Sequence, residues 1–432
     1  MAKQGLGARR AACDLMTAVT AGHQVLSEAM PAVLEPLGPQ DRARAQRLAT
    51  EALRWAGRSD RLIGPYIRQR PPEEVLNILR LAVWEMLGDR APSHAVVDSA
   101  VEITRARPET RRTAGMVNAV LRNILRGDPD WDALAVPPLP KWLRKPLLAD
   151  YGKGAVEAIE AAHARGAPLD LTAKAGHAED VARATGGTLL PTGSVRLGAQ
   201  VQVSALPGFA EGHWWVQDAA AALPARVLDP RSGERILDLC AAPGGKTLQL
   251  ADAGAVVTAL DVSGARLARL RENLARTGLA AEVIEADALT WDGPADFDAV
   301  LLDAPCSATG TIRRHPDLPF AKIGADLSAL VSLQARLIDR ALDLVRPGGR
   351  VVFCTCSLLK DEGERQIEAA LTRHPGLRVA PVAAPGIGSD WLTPAGAVRL
   401  RPDFWPELGG MDGFFIARLE KPGQGAKSAM TP

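Results

Sequence analysis

Two thiols stand where strand candidates end, and they are the side chains best suited to covalent chemistry. Cys306 lies in Leu301-Leu302-Asp303-Ala304-Pro305-Cys306-Ser307-Ala308-Thr309-Gly310, and Cys356 in Phe353-Cys354-Thr355-Cys356-Ser357. A thiol is of no use to a transferase acting on an exocyclic amine, which is already nucleophilic enough. It suits a carbon that must first be activated. C5 of a pyrimidine is such a carbon: a thiolate adding to C6 leaves a covalent enamine whose C5 can attack an electrophilic methyl group. Asp303 is placed to act as an acid near N3, provided burial raises its pKa, and a second thiol can help remove the C5 proton and release the product. Against this stands the usual fate of a free cysteine, which is burial in a core. Cys354, within the strand, is read that way; Cys306 and Cys356, set in turns, are not.

Both thiols are measured from a glycine turn. Residues Arg235 to Leu250 read R-I-L-D-L-C-A-A-P-G-G-K-T-L-Q-L, an apolar strand, a turn poor in side chains and a helix start. In open α/β folds such a turn lies at the carboxyl edge of the sheet, where ligands bind. The dinucleotide fingerprint G-x-G-x-x-G is absent. A P-loop would need glycine where Cys240 stands, although Gly245-Lys246-Thr247 supplies its end. A turn that carries S-adenosylmethionine remains. Asp261 follows Asp238 by 23 residues, the spacing at which a carboxylate accepts from ribose hydroxyls, and Asp287 follows the next strand candidate. Each alone is more often a turn former.

The elements that must position these residues alternate. Strands are expected at Arg235 to Cys240, Val256 to Asp261, Ala281 to Ala286, Asp298 to Ala304, Arg350 to Thr355, Leu377 to Val382 and Gly413 to Leu419, with a helix from Leu327 to Val345. This is a doubly wound α/β fold with a seven-stranded sheet, spanning residues 227–421. Ahead of it, residues 1–126 read as helices only, with apolar spacing of three and four over Ala45 to Leu62, Glu74 to Leu87, Val96 to Ile103 and Met116 to Leu125. Residues 127–140, with four prolines and three aspartates, read as a linker. Residues 141–226 read as a small α+β subdomain: a helix from Leu148 to Ala164, strands at Leu169 to Ala173 and Thr188 to Pro191, a helix near Ala178 to Ala184 and another beginning near Asp218. Trp214-Trp215 is expected to pack in a core rather than stack on bases. Residues 422–432 read as a disordered tail.

Composition sets the surroundings. At 432 residues, 47% hydrophobic and 23% charged, the chain is expected to be globular with two or three domains. It has no run of about 18 apolar residues and no signal-like start, so a cytoplasmic protein without membrane partners is expected, and no obligate protein partner is evident. Five cysteines form no disulfide framework, and with one close pair only, Cys354 and Cys356, no metal site is expected. The net charge of +1 conceals an asymmetry: residues 1–126 carry 19 Lys+Arg against 13 Asp+Glu, and the remainder 32 against 37. Of the 19 cations 18 are arginine, which suits bidentate phosphate contact, as does the cluster Arg105, Arg107, Arg111, Arg112, Arg122 and Arg126; a solvated helical surface explains the same count.

Taken together the strings Leu237 to Thr247 (L-D-L-C-A-A-P-G-G-K-T), Asp303 to Ser307 (D-A-P-C-S) and Thr355 to Ser357 (T-C-S) resemble the Sun/RsmB-type RNA (cytosine-5)-methyltransferases. Ser93-His94-Ala95-Val96-Val97 and Val117-Asn118-Ala119-Val120-Leu121-Arg122 resemble the NusB-like RNA-binding domain that such proteins carry in front. The resemblance implies that Cys240, Ala241, Ala242, Pro243, Gly244, Gly245 and Lys246, with Asp261, Asp287 and Asp303, hold S-adenosylmethionine. It implies Cys356 as the C6 nucleophile and Cys306 as the cysteine needed for release. Lys246 and Pro305 would lie near the target base, and the string Thr311 to Asp317 would be a substrate-side loop offering Arg313 and Arg314. The implied substrate is RNA, small-subunit ribosomal RNA above transfer RNA. One departure stands out: Leu169-Asp170-Leu171-Thr172 replaces the L-R-V-N-like string frequent in the middle subdomain. A non-catalytic RNA-binding or assembly factor that kept the fold would have no reason to keep both thiols.

Overall fold

The computed structural model describes residues 5–198, 201–322, 327–382 and 384–423; most of the expected tail, residues 424–432, lies outside them. The chain divides into two compact units, 1–166 with 312–325, and 167–311 with 326–432. No helix among the described residues is long and apolar enough to cross a membrane.

The first unit is helical: α1 (Leu6–Thr20), α2 (Leu26–Leu34), α3 (Pro39–Arg54), α4 (Ala56–Ile63), α5 (Glu73–Leu87), α6 (Ser93–Ala106), α7 (Ala114–Arg126) and α8 (Lys141–Arg165). Helix α5 is its axis. Apolar on nearly every side, it buries twelve of its fifteen residues and packs against α1, α3, α4, α6 and α7. In α7 the buried set Val117, Val120, Leu121 and Ile124 follows the three- and four-residue repeat, each side chain contributing about 2 kcal/mol of burial. The window of helical spacing over Ala45 to Leu62 holds two helices, because the chain leaves helical geometry at Trp55 (φ −102°, ψ 10°).

The proline-rich stretch 127–140 is not a free linker. Trp131 is buried in the helical core, edge-on to Trp55 with ring centroids 6.1 Å apart, and the Leu139 N–H donates to Glu160 Oε1 at 2.8 Å. The segment α8, interrupted at Gly152 (φ +78°, ψ 167°) and expected from Leu148 to Ala164 in the middle subdomain, belongs to this first unit: Arg54 Nη1 donates to the His163 carbonyl at 2.8 Å. The arginine count also splits. Arg9 and Arg80 are buried in ion pairs with Glu85, and with Asp60 and Glu73, and Arg107 is held by Asp14 and Glu74. Arg105, Arg111, Arg112, Arg122 and Arg126 remain exposed.

The second unit begins with an antiparallel sheet of β1 (Leu169–Ala173), β2 (Thr188–Leu189), β3 (Val195–Leu197) and β4 (Trp214–Val216), ordered β2-β3-β1-β4. The strands β3 and β4, three residues each, were not expected; they are too short for an alternating pattern to declare itself. Trp214 and Trp215 are buried as expected, their indole N–H groups donating to Pro207 O and Gln217 Oε1, both at 2.9 Å. The helix expected near Asp218 starts at Leu223, since Asp218 Oδ1 accepts from the Ala220 and Asp412 N–H groups and holds a turn instead.

The larger sheet contains β5 (Arg235–Leu239), β6 (Val256–Asp261), β7 (Glu282–Glu285), β8 (Phe297–Asp303), β9 (Val345–Thr355), β10 (Arg378–Ala380), β11 (Val398–Leu400) and β12 (Phe414–Glu420). Its order is β10-β12-β9-β8-β5-β6-β7, with β11 also paired to β12. The five strands β5 to β9 run parallel and β12 runs against β9. All seven expected strands are present: β6 has the expected bounds, β8 and β12 are shifted by one residue, β5, β7 and β10 are shorter and β9 begins earlier, at Val345; β11 is the addition. Helix 327–344 covers one face, burying Leu337, Ile338, Ala341 and Leu342 against β8 and β9. After β7 the chain returns to the other side of β5. The direction of winding therefore reverses between β5 and β8, which is where this architecture opens a crevice at the strand ends.

Candidate active site

The glycine turn grows from the end of β5. Cys240 is left-handed (φ +60°) and Gly244 more so (φ +107°), so the backbone folds tightly before helix 245–252 begins. A Cβ on Gly244 would come within 2.2 Å of Leu270 Cδ1. Glycine is required there by φ and by space alike. Gly244→Val is expected to lower Tm by several degrees and weaken binding of the methyl donor more than about tenfold, measured by calorimetry; unchanged donor affinity would show that the turn does not shape the site.

Buried Asp261, at the end of β6, fastens the turn: its carboxylate accepts from the N–H groups of Ala242 (3.0 Å) and Ser263 (2.9 Å). Arg266 Nη1 stands 3.5 Å from Asp261 Oδ2, and its other terminal nitrogen donates to the Ala242 carbonyl. Asp287 closes the turn after β7 by accepting from the Leu289 N–H at 2.9 Å. Between these elements lies a cavity of about 430 Å³, lined among others by Cys240, Asp261, Val262, Asp287, Asp303, Pro305, Cys306 and Cys356. Its volume lies within the range of small-molecule sites, and Val262, 70% exposed, offers an apolar ledge beside two carboxylates. Carboxylates for ribose hydroxyls, an apolar ledge for a base and a bare backbone turn fit S-adenosylmethionine. Of the turn residues expected to hold the donor, Cys240 lines this cavity, whereas Ala241, Ala242, Pro243 and Gly245 are not among its lining residues.

Asp238, one residue inside β5, is fully buried. Its Oδ2 accepts from Thr247 Oγ1 at 2.6 Å, while Oδ1 has no hydrogen-bond partner among the described residues. Burial pushes its carboxyl pKa up to about 7, against the pull of the Thr247 hydroxyl. The folded state thus keeps a proton that the unfolded chain loses near pH 4, so this carboxyl makes stability fall as pH rises from about 4 to about 7, by on the order of 4 kcal/mol. Asp238→Asn should remove that dependence: its Tm advantage over the parent protein should widen between pH 5 and pH 8, and a constant difference would refute it.

The thiols meet. Strands β8 and β9 pair in parallel with Asp303 opposite Cys354, and the loops beyond them are joined by Ala304 N–H to Cys354 O (3.0 Å) and Gly310 N–H to Cys356 O (2.9 Å). Cys306 Sγ and Cys356 Sγ are 3.5 Å apart on the wall of the cavity. Contact with the Cys306 thiol, followed by burial, raises the Cys356 pKa well above the ordinary thiol range, while Lys246 pulls it the other way. Burial raises Cys354 and takes Cys240 up to about 12, so both remain thiols.

Lys246, from the first turn of helix 245–252, is buried and places Nζ 2.7 Å from Asp303 Oδ2 and 5.5 Å from the Phe414 ring centroid. Burial by itself would lower its pKa; Asp303, with Cys354 and Asp238, outweighs that and the net shift is upward. Cys354, read as an inert core residue, is fully buried yet its thiol donates to Asp303 Oδ1 at 3.4 Å. Glu362, fully buried behind the two thiol loops, went unnoticed in the sequence, where it is one carboxylate in a polar turn. Arg313, expected to offer its guanidinium to substrate, is 1% exposed, and Arg54 Nη1 donates to its carbonyl at 2.8 Å; Arg314 is half-buried.

The L-D-L-T departure concerns a buried lock. Asp170 is fully buried and accepts from Arg196 Nε (2.7 Å) and Nη2 (2.6 Å) and from the Ala219 N–H (3.0 Å), while Arg196 Nη1 reaches the carbonyls of Leu408 and Gly410. It ties the small sheet to the loop that precedes β12.

Sequence and structure comparisons find relatives of both parts of the chain. The family described as "16S rRNA methyltransferase RsmB/F" matches residues 225–420, and the NusB family matches residues 6–126. The "Ribosomal RNA small subunit methyltransferase B" of Xanthomonas campestris pv. campestris is 39% identical over 97% of this chain and 98% of its own length; that of Pseudomonas putida is 36% identical over 96% and 98%. Among solved structures, PH0851 shares the fold with a TM-score of 0.76 at 23% identity, covering 98% of this chain and 100% of that one. A methyltransferase homolog from Pyrococcus horikoshii gives 0.55 at 27% identity, over 65% and 95%. With two thiols at adjacent strand ends, a glycine turn fastened by carboxylates and relatives matched over nearly their whole length, the chain belongs to the 16S rRNA methyltransferase RsmB/F family.

Proposed function

We propose that the protein methylates C5 of a cytosine in 16S ribosomal RNA, through a covalent bond between Cys356 and C6 of the base. The observation that carries this reading is the 3.5 Å approach of Cys306 Sγ to Cys356 Sγ on the wall of the donor cavity. S-adenosylmethionine supplies an electrophilic methyl group when bound by the turn 240–246, Asp261 and Asp287. The target base must leave any stack to reach the thiols. Cys356, once deprotonated, adds to C6 and drives electron density to C5. Lys246 and Asp303 form an ion pair beside the thiols, where the Lys246 ammonium meets the negative charge accumulating on the ring toward N3 and O2 and Asp303 holds that ammonium in place. After transfer the C5 proton leaves and Cys356 is expelled; Cys306, touching Cys356, is the group placed to assist.

The exposed arginines Arg105, Arg111, Arg112, Arg122 and Arg126 support phosphate contact from residues 1–126, with the transfer chemistry in 227–421. Bisulfite sequencing of ribosomal and transfer RNA from cells with and without the gene tests the reading. One 16S cytosine should lose its protection when the gene is absent; an unchanged 16S profile overturns the reading, and loss confined to transfer RNA redirects it.

A further inference from the structure

Behind the two thiols lies a carboxylate that takes no part in the proposed transfer. Glu362 is fully buried in the short helical turn that follows Cys356. Its Oε1 accepts from the Ser307 N–H at 2.8 Å and from Gln334 Nε2 at 3.0 Å, and its Oε2 from the hydroxyls of Ser307 and Ser357, the latter at 2.5 Å. Ser307 follows Cys306, and Ser357 follows Cys356. One carboxylate therefore fastens both thiol-bearing loops, each at the residue next to its sulfur. The same unit is cross-braced. Gln334 Nε2 also donates to the carbonyl of Pro305, the residue before Cys306, at 2.8 Å, and Gln366 Nε2 holds Gln334 Oε1 at 3.3 Å. Thr309 Oγ1 lies 3.2 Å from both serine hydroxyls and accepts the Leu358 N–H at 2.9 Å. The Thr355 hydroxyl donates to the Glu362 carbonyl at 2.8 Å.

A buried carboxylate accepting four donors is a strong and stiff anchor, since charge-assisted bonds are the short ones and the low-dielectric interior strengthens them. The loops also touch directly, through two backbone bonds, through the Ser307 and Ser357 hydroxyls at 3.1 Å and through Thr309, but these are neutral contacts, and the Glu362 carboxylate is the charged group that gathers both serines.

We infer that Glu362 is a positioning residue, which sets the spacing of Cys306 and Cys356 and thereby couples formation of the covalent RNA adduct to its release. This rests on the cytosine-5 reading for its meaning, but the spacing itself can be measured without RNA. When the sulfurs are held in contact, diamide takes two hydrogens from the pair and is itself reduced to the hydrazine, leaving a Cys306–Cys356 disulfide. The rate of that closure, followed by intact mass and thiol titration, reports the spacing directly.

The full-length protein and its Glu362→Ala, Glu362→Gln, Ser307→Ala and Ser357→Ala variants are compared. Glu362→Ala is expected to slow closure about a hundredfold and to lengthen adduct lifetime with 16S RNA by a similar factor, because displacements near 1 Å have effects of that size, while donor affinity is unchanged. Glu362→Gln, which keeps the shape and can still bond both serines, should recover most of the closure rate. Wild-type closure rate and adduct lifetime in folded Glu362→Ala overturn the inference. Should that variant fail to fold, the serine variants decide: each removes one hydroxyl bond to the Glu362 carboxylate along with that hydroxyl's bonds to its neighbours and must slow closure, and wild-type rates in both overturn it. If the parent protein forms no RNA adduct, the cytosine-5 reading has failed, and the diamide rates still judge Glu362.

Discussion

Cys356→Ala is expected to lose methylation by at least about 10⁴-fold, whereas Cys306→Ala should trap the protein on its RNA as an adduct that survives denaturing electrophoresis. The asymmetry follows from what each sulfur does. Without Cys356 nothing adds to C6 and C5 stays inert; without Cys306 addition and transfer proceed but expulsion of Cys356 stalls. The electrostatics of the pair add a second signature. Cys356 is held as a thiol chiefly by contact with Cys306 and then by burial. Adduct formation by the parent protein should therefore rise with pH, up to about tenfold per pH unit below the thiol pKa. Cys306→Ala removes the largest cause of the raised pKa, so its single-turnover adduct formation should shift to lower pH. An adduct in the Cys356 variant would reverse the roles, and coincident pH profiles for the parent and Cys306→Ala would break the link between sulfur contact and reactivity.

Lys246→Met should reduce the rate of adduct formation by about 10²- to 10³-fold with smaller loss of RNA affinity. Lys246 is the group that lowers the Cys356 pKa, and Asp303 is among those that raise it. Removing the ammonium leaves the carboxylate unopposed beside the sulfur, so the pH profile of adduct formation should move to the alkaline side, opposite to Cys306→Ala. Stability should fall by about 2 kcal/mol, less than the about 3–5 kcal/mol for breaking a fully buried pair, since the Asp303 side chain keeps 31% exposure. Stopped-flow mixing with RNA from about pH 6 to about pH 10, together with urea unfolding, separates these effects. A profile that stays in place would mean that Lys246 acts on the base alone.

How far the chain can be read without coordinates depends on how local the determining physics is. The parallel strands, the glycine turn and the thiol loops are written in contiguous residues: apolar runs, a turn without side chains, and cysteines just past strand ends. The helices of the first unit follow from the spacing of apolar residues, as in α7. Elements of three residues, such as β3, β4 and β11, carry no period and are stabilised by their neighbours, so they surfaced only in the structure. Charge was legible as a total but not as a surface. Arg9, Arg80 and Arg313 count as cations in the sequence, yet all three are buried, and only five arginines of the 105–126 cluster face solvent.

The sequence by itself determined which atoms are available for chemistry: two thiols, a lysine, and carboxylates at the ends of strands whose order makes a crevice. Tertiary structure decided their partnerships. That Cys306 and Cys356, 50 residues apart, come within 3.5 Å follows from the parallel pairing of β8 with β9. That Lys246 meets Asp303, and that Glu362 fastens the two serines beside the thiols, depends on long-range burial. A hydrogen bond between distant residues is fixed by packing of the elements that carry them, and no spacing along the chain encodes it.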